Sequence, residues 1–198
     1  MQLITVATAA LLVAVPVAQA AQARVFNKCS FPVYLWSVSA DSSSEMITLE
    51  SHNGTYEEAY QTPNVGGVSI KLSKVETVAN PTPITQFEYT LAGGSIWYDI
   101  SNVNCATTSC PFQPTGMYMN SGEGCPTRSC EAGLPTCAGA YTASDDNENS
   151  LSCGETSNID LYLCTSSPPS SKRGIEVEIE APVRRHRRHG HPHWRSAQ

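Results

Sequence analysis

Gln86-Phe-Glu-Tyr-Thr-Leu-Ala-Gly-Gly-Ser-Ile-Trp-Tyr-Asp-Ile-Ser101 alternates with a period of two on both sides of a Gly-Gly pair. Phe87, Tyr89 and Leu91 share one face of the first arm, and Ile96, Tyr98 and Ile100 share one face of the second. A two-residue Gly93-Gly94 loop suits type I′ or II′ geometry and sets the register. Ala92 then opposes Ser95, Leu91 opposes Ile96, Thr90 opposes Trp97, Tyr89 opposes Tyr98 and Glu88 opposes Asp99. The apolar pairs gather on one side, so turn and burial pattern agree. On the solvent side the same register sets Glu88 against Asp99, with Cβ atoms about 5 Å apart. Like charges so placed destabilise a sheet unless something cationic, proton-sharing or hydrogen-bond-donating sits between them. The bland alternative is a solvated pair neutralised by Lys71 or Lys74 from a neighbouring strand. Trp97 falls on the same outward face, where an indole is either a stacking platform or a side chain covered by a loop.

The segments around this hairpin carry the same signal. Short runs rich in Val, Ile, Thr and Tyr, punctuated by Gly and Pro, predict strands at 23–27, 33–38, 45–49, 55–59, 68–75, 85–91, 95–101 and 160–164. No helical period persists beyond about two turns. The expected fold class is all-β, an antiparallel β-sandwich with disulfide-braced loops. Residues 104–149 are turn-rich and cysteine-studded, and are expected to be loops pinned by bridges.

Cys29, Cys105, Cys110, Cys125, Cys130, Cys137, Cys153 and Cys164 form an even set. They follow an apolar run at residues 3–15 and two small-residue cleavage sites, Ala18-Gln-Ala20 and Ala21-Gln-Ala23. Residues 1–20 are therefore read as a signal peptide, with the mature chain starting near Ala21 or Arg24. About 13 apolar residues are too few to span a bilayer that needs about 20. In an exported chain eight cysteines predict four disulfides; a zinc site would want histidine partners, and between Cys29 and Cys164 only His52 is present. Sequence leaves 105 pairings open. Asn53-Gly-Thr55 is the one N-glycosylation sequon.

Residues 1–165 carry fifteen of the eighteen acids and five of the twelve Lys/Arg, a net of −10, and residues 166–198 carry +4. An acidic body argues against nucleic acid as a partner. The expected domain spans 24–165, and 166–198 reads as a disordered Ser/Pro linker followed by an Arg/His-rich tail. Lys172-Arg173 in that linker is either a processing site for a secretory-pathway protease or a pair that keeps the linker solvated. His186, His189, His191 and His193 are weak metal candidates, since the flanking arginines repel cations. No cofactor is implied, and the chain is expected to be a monomer.

Five segments carry a family likeness: Asn27-Lys-Cys-Ser-Phe-Pro-Val-Tyr-Leu-Trp-Ser-Val38, Gly66-Gly-Val-Ser-Ile-Lys-Leu72, Gln86-Phe-Glu-Tyr-Thr-Leu91, Trp97-Tyr-Asp-Ile-Ser101 and Cys153-Gly-Glu-Thr-Ser-Asn-Ile-Asp-Leu-Tyr-Leu-Cys164. Over about 24–165 the chain resembles the fungal Blastomyces yeast-phase-specific protein family, a small branch of the thaumatin-like proteins. The resemblance implies a thaumatin-like sandwich, secreted to the medium or cell wall, with its first cysteine bridged to its last. It also implies an acidic cleft associated in plant relatives with binding, and sometimes hydrolysing, β-1,3-glucan. That cleft's glutamate matches Glu88 and one aspartate matches Asp99. A further cleft aspartate is nearest Asn104 here, and no arginine matches the cleft's basic member; both departures weaken a catalytic claim.

Three functional classes follow. Binding of cell-wall carbohydrate through Glu88, Asp99 and Trp97 leads. A weak β-1,3-glucan hydrolase using Glu88 and Asp99 needs two carboxyls about 5–5.5 Å apart if retaining, with unequal pKa values. A structural, antifungal or host-surface-binding secreted protein without a small ligand is the third. With His52 alone in the body, Ser/His/Asp and metallohydrolase chemistries have no histidine supply, and the sequence leans away from an enzyme.

Overall fold

The computed structural model describes residues 20–106 and 109–169. The expectations for residues 1–19 and 170–198, including Lys172-Arg173 and the four tail histidines, lie outside the described residues. Eleven strands form two sheets among the described residues: β1 Gln22–Asn27, β2 Val33–Val38, β3 Ile47–Leu49, β4 Thr55–Ala59, β5 Val68–Ser73, β6 Thr85–Ala92, β7 Ser95–Ser101, β8 Met117–Asn120, β9 Arg128–Cys130, β10 Leu151–Gly154 and β11 Ile159–Leu163. One sheet has the order β4-β1-β11-β8-β9 and the other β10-β7-β6-β5-β2-β3. The helical content described is two 3₁₀ turns, Val103–Cys105 and Asn147–Asn149.

Alternation builds the layers. β1 and β2 read half-buried and buried in strict turn. Val33, Leu35, Ile70, Leu72, Phe87, Ile96, Tyr98 and Ile100 of the six-stranded sheet are fully buried with Ala23, Val25, Met119, Ile159, Leu161 and Leu163 of the five-stranded one. Sheet packed on sheet thus removes one face of each from water, which is the dominant favourable contribution to folding. The two buried tyrosines place their hydroxyls: Tyr98 donates to the Pro126 carbonyl at 2.7 Å and Tyr89 to Glu58 at 3.0 Å. Glu58, on an edge strand of one sheet, also accepts from Ser37 of the other at 2.9 Å and from Gln61 Nε2 at 2.6 Å, a polar tie across the layers. Asn27 is completely buried; its side-chain amide donates to the carbonyls of Phe31, Leu49 and Glu50, and its Oδ1 accepts from the Cys29 amide. That one side chain closes the backbone groups that the turn after β1 would otherwise orphan.

The expected all-β sandwich is present, antiparallel but for one pair, since the first and last strands, β1 and β11, run parallel. Two expectations are corrected. Residues 104–149 are not loops throughout: Met117–Asn120 pairs with β11 and Arg128–Cys130 pairs with it in turn. Methionines and a three-residue run carry little β-propensity, so pairing rather than intrinsic preference makes these strands. The expected strands at 45–49 and 68–75 are shorter, Ile47–Leu49 and Val68–Ser73.

All eight cysteines are bridged: Cys29–Cys164, Cys105–Cys110, Cys125–Cys153 and Cys130–Cys137. The first joins the first cysteine to the last, and it does so because parallel β1 and β11 end side by side. Cys125 and Cys130, spaced like Cys105 and Cys110, pair elsewhere; spacing alone did not decide them. Loop closure predicts their ranking. Cys29–Cys164 closes a separation of 135 residues and Cys105–Cys110 only 5. By chain entropy the first contributes about 5 kcal/mol and the second about 2. Replacing each pair by serines and measuring denaturant midpoints should therefore put the Cys29/Cys164 variant well below the Cys105/Cys110 variant; the reverse order contradicts the assignment.

Candidate functional site

The β6–β7 register expected from sequence is present pair for pair, from Gln86 opposite Ser101 to Ala92 opposite Ser95. Gly93 and Gly94 both have positive φ, 61° and 75°, as a type I′ turn requires. The outer face of the six-stranded sheet therefore carries ordered rows. Ser69, Glu88 and Asp99 form one row across β5, β6 and β7. Thr90, Trp97 and Ser152 form the next, across β6, β7 and β10. Ser69, Glu88, Asp99, Thr90 and Trp97 of these rows floor a cleft of about 590 Å³, within the range of ligand sites.

Two walls rise from that floor. One contains Val38, Ser39, Gly66 and Gly67. Gly67 lies so close to β6 that a Cβ would overlap Thr90 and the Tyr89 carbonyl, so the close approach itself requires glycine. The other contains Ser144, Asn147 and Ser150. It is docked alongside β7 by backbone bonds, Tyr141 N to Ile100 O at 2.9 Å and Asn102 N to Tyr141 O at 2.8 Å. Within it the Asp146 carboxylate accepts from the Thr142 amide and hydroxyl and the Ala143 amide at 2.9–3.1 Å. Those bonds hold Asp146 below the usual aspartate range.

This second wall corrects the view of Glu88 and Asp99 as a solvent-side pair: both are half-buried. Burial, then the neighbouring Glu88 charge, pushes Asp99 up to about 7. Burial also raises Glu88, while the nearby Ser69 and Ser101 hydroxyls and the charge of Lys71 lower it. Lys71 is thus the neighbouring cation; Lys74 instead stands over the Phe31 ring at 4.6 Å. Asp99 Oδ1 is buried and accepts no hydrogen bond. Trp97 is 45% exposed beside it, so the indole is open rather than covered. Tyr141 joins the site unforeseen: its phenol is raised by burial and by the charges on Asp99 and Glu88. A lone tyrosine in a turn-rich segment gave no periodic signal that could have found it. Asn104, at the position of the expected third carboxylate, lies exposed in the Val103–Cys105 turn. Among the described residues no group of three or more His, Cys, Asp or Glu is arranged to hold a metal.

The carboxyl shift has a testable sign. A carboxyl whose pKa is raised on folding opposes stability once pH exceeds its unfolded value, so stability falls as pH rises from 3.8 through about 7. Asp99→Asn should flatten that fall and stabilise the protein at pH 8 by on the order of 2 kcal/mol, about half the full conversion because the group keeps some water contact. Denaturant unfolding of both proteins at pH 5 and pH 8 checks it; equal slopes contradict the buried carboxyl.

Comparison with known proteins agrees with this architecture. The chain is 30% identical over 191 residues to an antigenic thaumatin-like protein of Arthroderma benhamiae, covering 94% of each. It is 31% identical over 167 residues to the secreted thaumatin-like protein calA of Emericella nidulans, covering 82% of this chain and 94% of that one. Its fold matches the crystal structure of the protein elicitor MoHrip2 from Magnaporthe oryzae with a TM-score of 0.60 at 24% identity, covering 74% of this chain and 100% of the other. The model of the Blastomyces yeast-phase-specific protein matches residues 10–165. With a thaumatin-like sandwich, four disulfides and that match in hand, the chain belongs to the Blastomyces yeast-phase-specific protein family, related to the thaumatin-like proteins of fungi.

Proposed function

We propose that this is a secreted carbohydrate-binding protein whose cleft takes a cell-wall β-glucan. One observation carries the reading: two half-buried carboxyls, Glu88 and Asp99, stand beside an exposed indole in an open cleft. A sugar ring supplies both halves, hydroxyl donors for Asp99 and Glu88 and an apolar face for Trp97. The hydroxyls and amide of Ser69, Ser144, Asn147 and Ser150 add polar groups around the rim. A neutral polysaccharide suits the site better than an anionic one, because the floor carries two acids. Hydrolysis is the second reading, favoured by the opposed pair with Asp99 raised to about 7, where an acid must remain protonated.

The test is retention on insoluble β-1,3-glucan. Trp97→Ala/Glu88→Ala should lower affinity at least tenfold, and unchanged retention removes this site. Release of reducing sugar from laminarin that Glu88→Gln abolishes would replace binding by hydrolysis.

Export belongs to the same reading. β1 supports cleavage between Ala20 and Ala21 rather than after Ala23. Ala23 is fully buried and pairs with both Glu58 and Ile159. The Ala21 carbonyl accepts from the Tyr60 amide, and the Gln22 amide donates to Asn158. A cut after Ala23 would delete these. Asn53, exposed in its turn, is accessible to a glycan. Mass spectrometry of the secreted, deglycosylated chain should give an N-terminus at Ala21; a start at Arg24 contradicts the assignment.

A further inference from the structure

We infer that Arg128 is a positioning residue for the cleft: its guanidinium, wedged between Gly139 and the Asn149 carbonyl, sets where the wall at residues 141–150 stands over Glu88, Asp99 and Trp97. The inference rests on the carbohydrate-binding reading for its consequence, and on the fold alone for its geometry.

The argument starts from register. Arg128 lies on edge strand β9 opposite Met119, which is fully buried, so its side chain leaves the strand on the core side. An arginine directed between two sheets should find a carboxylate. Among the described residues the ion pair that forms is Arg24–Asp160, elsewhere on the molecule. Arg128 instead reaches across to the segment that leads into β10. Nη2 donates to the Asn149 carbonyl at 3.3 Å, and Nε is buried with no hydrogen-bond partner. The head packs on Gly139, where a Cβ would overlap the Nη1 and Cζ atoms. Gly139 has φ +79°, so glycine there serves both the backbone and the seat.

Burying a donor unpaired is unfavourable, so the placement is poor as a device for stability. Its geometric effect is specific. Asn149 lies between Asn147 and Ser150, two residues of the cleft wall. Two disulfides already fasten the surroundings of that wall, Cys130–Cys137 before it and Cys125–Cys153 after it. The first reaches the stretch 139–149 only at its start, where the Ala140 amide donates to the Cys137 carbonyl at 3.1 Å; the cleft residues Ser144 and Asn147 lie beyond it. Arg128 supplies a planar, rigid prop from behind at that point. It touches no ligand in this arrangement, and acts through the wall.

The experiment compares full-length oxidised wild type with Arg128→Met, Arg128→Lys and Gly139→Ala. Met keeps the stem and removes the fork; Lys keeps the charge and removes the fork. Backbone hydrogen exchange at 141–150, the Trp97 indole N–H resonance and β-1,3-glucan retention are the readouts. All three variants should speed exchange of the wall amides about tenfold and shift the Trp97 resonance, while the Phe87, Tyr89, Tyr98 and Ile100 amides keep their protection. Retention should weaken about tenfold. Gly139→Ala placed in Arg128→Met should add less than it does in the wild type, because the guanidinium it displaces is gone. Wall exchange unchanged in Arg128→Met, or fully protected in Arg128→Lys, overturns the positioning role. A wild type that ignores β-glucan removes the functional reading, and exchange and resonance still decide this one.

Discussion

In the β6–β7 ladder seven opposed pairs hold every second side chain on the core face, and the intervening ones have nowhere to go but the opposite face. Phe87, Tyr89, Ile96, Tyr98 and Ile100 are locked inward by the five-stranded sheet packed over them. Glu88 and Asp99 are therefore forced together, because separating them requires a one-residue slip. Such a slip would carry the buried set of one strand into water, Phe87 and Tyr89 or Ile96, Tyr98 and Ile100. A repulsive pair is thus held by a far larger hydrophobic term.

What happens above the pair depends on elements distant in sequence. A floor with two carboxylates in open water would be unremarkable electrostatics: well solvated and near ordinary pKa values. The wall docked by Tyr141 against β7 changes that by removing water from one side. The pair then becomes harder to ionise, and Asp99 keeps an oxygen that the protein itself does not satisfy. A local loss of stability above the unfolded carboxyl pKa is the consequence of that arrangement.

Much of the frame was legible from residues. The Gly93-Gly94 turn fixed the hairpin, and alternation identified the inward face of its two arms before any neighbour was known. Trp97 could be assigned outward by the same count. The strands β8 and β9 were not legible, because Met117, Met119 and a three-residue segment become strand only when β11 offers its edge. Tyr141 and Arg128 were invisible for a related reason: each acts through a partner more than twenty residues from it, Ile100 in one case and Asn149 in the other, and neither lies on a periodic segment.

By itself the amino-acid order determined a cysteine-rich β chain whose local hairpin sets one glutamate across from one aspartate; the hairpin follows from period-two geometry and turn chemistry, which act over a few residues. Only tertiary structure decided that β1 runs parallel to β11 so that Cys29 meets Cys164, which remaining cysteines pair, and how deeply the two acids are covered. These depend on contacts across 135 residues in one case and on a docked loop in the other, where chain connectivity sets no preference and packing of the whole sandwich does.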